Sequence, residues 1–137
     1  MTLSKSDFDD ILTAEKQTSR VNIMERITRK KLTDLGIYSK TKGFFFLIEA
    51  IELYTGSDGA YLKITEDIYP AVAMKFRTTA ANVERAIRYT ITELYSEPPT
   101  EYYISVFGDP QKRRKPTNTE FISTLSYEIT QERETVK

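Results

Sequence analysis

The chain contains no cysteine and no histidine. Zinc sites built on thiolate or imidazole ligands are therefore excluded. Cysteine nucleophiles, serine–histidine–aspartate triads and histidine acid–base chemistry go with them. With the common hydrolytic toolkits gone, no enzymatic role, catalytic residue, metal site or cofactor is expected. The absence of cysteine also fits a reducing cytoplasm, the expected location. No apolar run approaches the roughly 18 residues that a membrane span needs, so no membrane partner is expected. Lys5 is followed at once by Asp7, Asp9 and Asp10, which is not the pattern of a secretory signal. No internal repeat and no convincing strand pair is present.

What remains is a soluble-type composition of 137 residues, enough for one domain with a real core. Lysine and arginine together number 20, as do aspartate and glutamate, so the net charge is zero. The distribution is uneven. Segment 26–42 carries Arg26, Arg29, Lys30, Lys31, Lys40 and Lys42 against one acid, Asp34, and Lys112, Arg113, Arg114 and Lys115 stand in a row. Acids gather near the ends, with Asp7, Asp9, Asp10 and Glu15 at one and Glu128, Glu132 and Glu134 at the other. A neutral total of this kind can hide a basic face.

Apolar spacing is helical throughout, so the expected class is all-α, a bundle of about six helices. Residues 1–24 are polar and weakly patterned and read as an arm. Ser6 could cap a short helix there carrying Phe8, Ile11 and Leu12, although a disordered tail is the simpler reading. The main domain is expected over 25–132, with a tail at 133–137. A first helix over 25–35 carries Ile27, Lys31, Leu32 and Leu35 and stops at Gly36. Thr41 to Tyr54 is a stronger pattern, with Phe44, Leu47, Ile48, Ile51 and Tyr54 on one face before the Gly56-Ser57-Asp58-Gly59 loop. A short helix over 60–69, with Thr65 near its start, is expected to yield at Pro70 to a new one over 70–76. Arg77-Thr78-Thr79 breaks that helix, and Thr78 or Thr79 caps the next, over 80–95, which buries Val83, Ile87, Ile91 and Leu94. After Pro98-Pro99 come a short helix at Tyr102–Phe107, a turn at Gly108-Asp109-Pro110 and the basic loop. Thr117-Asn118-Thr119-Glu120 then reads as a capping box opening a last helix with Phe121, Ile122, Leu125 and Ile129. The nine tyrosines fall mostly on apolar faces or at helix ends, as packing requires.

Two short helices joined by a three-residue turn, over about 70–95, have the spacing of a helix-turn-helix, which sets its second helix in a DNA major groove. A small Ala73 permits a close crossing, and Val72 and Phe76 could pack on Val83 and Ile87. The turn lacks the glycine often found there, and a helical hairpin of no special function fits the same spacing. The outward residues favour DNA. Asn82, Glu84 and Arg85 are candidate base contacts, because asparagine pairs with adenine, glutamate accepts from cytosine N4 and arginine forks onto guanine O6 and N7. Lys75, Thr78, Thr79, Arg88, Lys112, Arg113, Arg114 and Lys115 are candidate backbone contacts. The plainer alternatives are a solvated helix face with a Glu84–Arg88 pair and a solvated loop over 112–115.

Three stretches carry a family resemblance. The first runs from Leu35-Gly36-Ile37 through Lys42-Gly43 to Leu47-Ile48-Glu49-Ala50-Ile51. The second runs from Ile64-Thr65 and Ile68-Tyr69-Pro70 through Lys75-Phe76 and Thr78-Thr79-Ala80 to Val83-Glu84-Arg85-Ala86-Ile87-Arg88. The third is Val106-Phe107-Gly108 with Lys115-Pro116-Thr117-Asn118-Thr119-Glu120-Phe121-Ile122. Over about 27–131 the chain resembles the C-terminal DNA-binding effector domain of the stage-zero master sporulation response regulator of endospore-forming bacteria. The resemblance implies a six-helix domain with a transcriptional role, reading a short motif often present in tandem. It implies base contacts at Glu84 and Arg85 and a backbone position for Arg88. In two respects the chain departs from the family. It leaves no room for the receiver domain, so a stand-alone effector is expected. Asn82 stands where the family usually has a base-reading arginine, so a shifted or weaker site is expected. The expected partner is double-stranded DNA, with a homodimer on tandem sites as a further option. The alternative function is an interaction protein that pairs or competes with a full-length regulator of the same family.

Overall fold

A computed structural model describes residues 23–38, 40–57 and 62–135, and no strand occurs among them. The helix expected from Ser6 lies outside the described residues. The first helix, α1, is under way at residue 23 and runs to residue 35, so residues 23 and 24 belong to it rather than to the arm. It ends at Gly36, with φ +108°. The amides of Gly36 and Ile37 bond back to the carbonyls of Thr33 and Leu32, both at 2.9 Å, a Schellman closure that only a residue at ease with positive φ makes without strain. Lys31 falls on the inward stripe of α1 yet stays charged. Its ammonium meets Glu132 at 2.7 Å and donates to the Tyr102 hydroxyl at 3.2 Å.

The second helix, α2 (Lys42–Gly56), is capped by Thr41, whose Oγ1 accepts from the Phe44 amide at 3.2 Å. Gly43, Phe46 and Ala50 are buried along with Phe44, Leu47, Ile48 and Ile51, a wider face than the sequence pattern predicts. The reason is that α2 is central and packs on both the helix over Ala80–Ser96 and the last helix. A π-helical turn, Ile64–Ile68, then flows without a break into α3 (Tyr69–Phe76). The expected break at Pro70 is therefore absent. The wider π register, with the Ile68 amide on the Lys63 carbonyl at 3.1 Å, moves aside the backbone that a proline ring would strike in a regular α-helix.

Next come α4 (Ala80–Ser96), α5 (Glu101–Phe107) and α6 (Asn118–Thr135). Thr79 and Thr100 cap α4 and α5. Val83, Ile87, Ile91 and Leu94 are buried as the spacing predicts, with Thr90 beside them. Phe121, Ile122, Leu125 and Ile129 of α6 close the core, and the Phe107 ring stacks on Phe121 with centroids 5.0 Å apart. In the predicted capping box the Glu120 carboxylate is shared between Thr117 and Arg114. Thr117 Oγ1 accepts from the Glu120 amide at 3.1 Å, while the Glu120 carboxylate meets Arg114 at 2.6 Å and is held below its usual pKa first by Arg114 and further by Thr117. The class is all-α, with six α-helices among the described residues. None of them is long and apolar enough to cross a membrane.

Candidate nucleic-acid interface

The α3–turn–α4 unit is built by two capping devices in succession. At the end of α3, Arg77 takes a left-handed conformation, φ 56° and ψ 49°. The Thr78 amide bonds to the Ala73 carbonyl at 2.9 Å and the Arg77 amide to Met74 at 3.4 Å. This is the same closure that Gly36 makes for α1, so an arginine does here what glycine does there. Two residues on, Thr79 opens α4 by accepting from the Asn82 amide at 3.1 Å. The turn is thus three residues long, as the sequence predicts. Val72, Val83 and Ile87 are fully buried across it, but Phe76 is not part of that core. It is exposed, and its ring lies edge-on to Phe46 of α2, at 5.2 Å.

The setting of α4 is fixed from two sides. Across from α2, Gly43 has no side chain to spare: a Cβ there would fall 1.9 Å from Thr90 Oγ1 and 2.8 Å from the Ala86 carbonyl oxygen. From α6, the Asn118 side chain donates to the Tyr69 hydroxyl at 3.1 Å and to the Glu84 carbonyl at 3.0 Å, tying both helices of the unit together. Burial pushes the Tyr69 hydroxyl pKa up, so that hydroxyl stays neutral.

With Val83, Ile87 and Ile91 inward, Asn82, Arg85, Arg88 and Thr92 stand on the exposed side of α4 and Glu84 at its margin. Arg85 has no salt-bridge partner among the described residues. Arg88 is paired with Glu84 one turn back, as the plainer reading of this face predicts. The pair leaves the second carboxylate oxygen of Glu84 able to accept. Asn82 is partly engaged, its Nδ2 donating to Thr78 Oγ1 at 3.1 Å. The hydroxyls of Thr78 and Thr79 both serve as acceptors here, which leaves each O–H proton available to an anion at the positive end of α4.

The other candidate backbone contacts divide by their partners. Lys75 is tied to Glu49 of α2 at 2.6 Å and Arg114 to Glu120 at 2.6 Å, so each already has a carboxylate. Lys112 and Arg113 have no carboxylate partner among the described residues, and Lys115 donates to Thr92 Oγ1 at 2.8 Å. The basic loop is anchored on α4 rather than hanging free. The Tyr95 hydroxyl meets the carbonyls of Pro110 and Arg113 at 2.8 and 2.9 Å. Arg88 and Lys115 consequently line one flank of α4, and Arg85 lines the other. Half of the cationic cluster of segment 26–42 is neutralised, through Arg29–Glu25, Lys30–Asp34 and Lys31–Glu132.

The positioning roles of Asn118 and Tyr95 escaped the sequence reading. Asn118 stood inside the Lys-Pro-Thr-Asn segment, but its partners lie 49 and 34 residues away. The only local signal for Tyr95 was an aromatic just before the two prolines. Among the described residues there is no cluster of acidic side chains that could hold a metal ion.

Residues 28–129 match the protein family described as Sporulation initiation factor Spo0A C terminal. That span takes in both helices of the unit, the basic loop and most of α6. The chain belongs to this family, the DNA-binding effector domain of a sporulation regulator.

Proposed function

We propose that the chain is a sequence-specific transcription regulator that inserts α4 into the major groove of double-stranded DNA. The observation that carries this reading is the orientation of α4. Three fully buried aliphatic residues fix one side, and Arg85 stands unpaired on the other. In this reading Arg85 forks onto a guanine, Glu84 accepts from a cytosine while Arg88 holds it, and Asn82 pairs with an adenine through its free amide proton and carbonyl oxygen. Thr78 and Thr79 meet a phosphate at the start of α4, and Arg88, Lys112, Arg113 and Lys115 meet the backbone along its length. Lys75 and Arg114 contribute less, because each would have to leave a carboxylate. The folded unit that does this runs from residue 23 of α1 to the end of α6 at Thr135.

Fluorescence anisotropy with oligonucleotides selected from a random pool tests the reading. Arg85→Ala is expected to weaken binding to the selected site by about 1–3 kcal/mol and to relax the preference at one base pair. Lys112→Ala is expected to weaken binding to every sequence alike and to flatten the salt dependence by about one unit. A chain that binds no duplex at low salt would end the proposal. Capture of a full-length regulator in the absence of DNA would point to the interaction role instead.

A further inference from the structure

A helix seated in a major groove has a sugar–phosphate strand on each flank. The contacts proposed above serve the end of α4 and the flank lined by Arg88 and Lys115. The opposite flank is a separate groove of about 710 Å³ between the first turns of α2 and the outward side of α4. Three cations line it: Lys42 from α2, Arg77 from the turn and Arg85 from α4. No aspartate or glutamate lines it. Seven other lysines and arginines among the described residues have a carboxylate within 4.0 Å, yet none of these three does. Unneutralised positive charge is therefore concentrated beside the reading helix. The exposed rings of Phe45, Phe76 and Tyr89 complete the wall.

We propose that this groove holds the backbone of the second DNA strand, an inference that rests on the major-groove reading of α4. Lys42 and Arg77 each take a phosphate, and the apolar faces of Phe45, Phe76 and Tyr89 lie against deoxyribose. The argument is charge complementarity together with continuity. An anion-lined polymer satisfies all three cations at once, and Arg85 belongs both to this groove and to the base-reading side. Arg77 fits the same logic. Its backbone conformation would suit glycine better, and what arginine adds there is a cation on the groove wall.

The test uses the full chain with Lys42→Gln, Arg77→Gly and the double substitution. Glycine accepts the left-handed turn, so Arg77→Gly removes the cation without disturbing the fold, and circular dichroism melting checks both variants. Binding is measured by anisotropy over a salt series, on the selected duplex and on a scrambled one. Each substitution is expected to weaken both duplexes by the same factor, about three- to tenfold, and to reduce the log–log salt slope by about one unit, or two together. A double variant with the parental slope overturns the inference and leaves the major-groove reading intact. A loss confined to the selected duplex also overturns it, because backbone contacts carry no sequence preference. Failure of the unaltered chain to bind any duplex removes the major-groove reading and this one with it.

Discussion

The carboxyl of Glu52 has one oxygen, Oε1, shut off from solvent with no hydrogen-bond partner. Glu49 of the same helix and Glu25 of α1 are close by, and Lys75 and Arg29 offset them only in part. Burial, reinforced by those two acids, pushes the Glu52 pKa up to about 7 from an ordinary 4.5. The folded protein therefore keeps a proton on Glu52 where the unfolded chain has lost it. Stability from this group is complete below about pH 4.5 and is lost as pH rises towards 7, because ionisation then occurs in a half-buried place. Discounted for the screening that a partly exposed carboxyl feels, the loss is of order 1–2 kcal/mol. Glu52→Gln keeps the shape without the charge. It is expected to raise the melting temperature at pH 7.5 and to flatten stability between pH 5 and 7.5. Equal pH dependence in both proteins would show that another group is responsible. The site is invisible in the sequence, because its main cause, burial of the carboxyl, arises only on folding, which also brings Glu25 from 27 residues away.

At the scale of elements, the contact between α2 and α4 sets the site. A methyl group at position 43 would meet Thr90 Oγ1 and the Ala86 backbone, and the second of these cannot rotate away. Gly43→Ala is expected to cost about 1–3 kcal/mol or more in stability by forcing the helices apart. Chemical denaturation would measure it, and an unchanged midpoint would mean that the helices shift freely. Helix positions were legible in the sequence wherever apolar spacing was long and regular, as in α2, α4 and α6. Two local features were not. Proline at 70 signals a helix start, but only the π-helical turn ahead of it lets the chain enter α3 unbroken. The closure at Arg77 was hidden because its usual marker, glycine, is missing. There the turn is held by bonds to Ala73 and Met74 and by burial on both sides, which outweigh the preference of the residue itself.

For the whole molecule, 20 cations and 20 anions cancel, yet binding to a polyanion depends on which cations stay unpaired. Sequence can count charges but cannot say which ones neutralise each other. Lys75 was a reasonable phosphate contact until folding brought it to Glu49, 26 residues distant. The outward side of α4 was legible because it depends only on helical period. The groove at Lys42 and Arg77 was not, since it joins residues from three elements. The salt dependence separates the two accounts of the interface. Contacts from Arg88, Lys112, Arg113 and Lys115 alone give a log–log slope of about −3.6, whereas adding Lys42 and Arg77 gives about −5.4. A titration from 50 to 300 mM salt resolves that difference. Finally, the missing side chain at Gly43 leaves α4 resting almost directly on α2. On the major-groove reading proposed above, a helix with no compliant layer beneath it cannot tilt to suit an imperfect site. The duplex must then do the bending, so base pairs that the protein never touches should affect affinity through their stiffness.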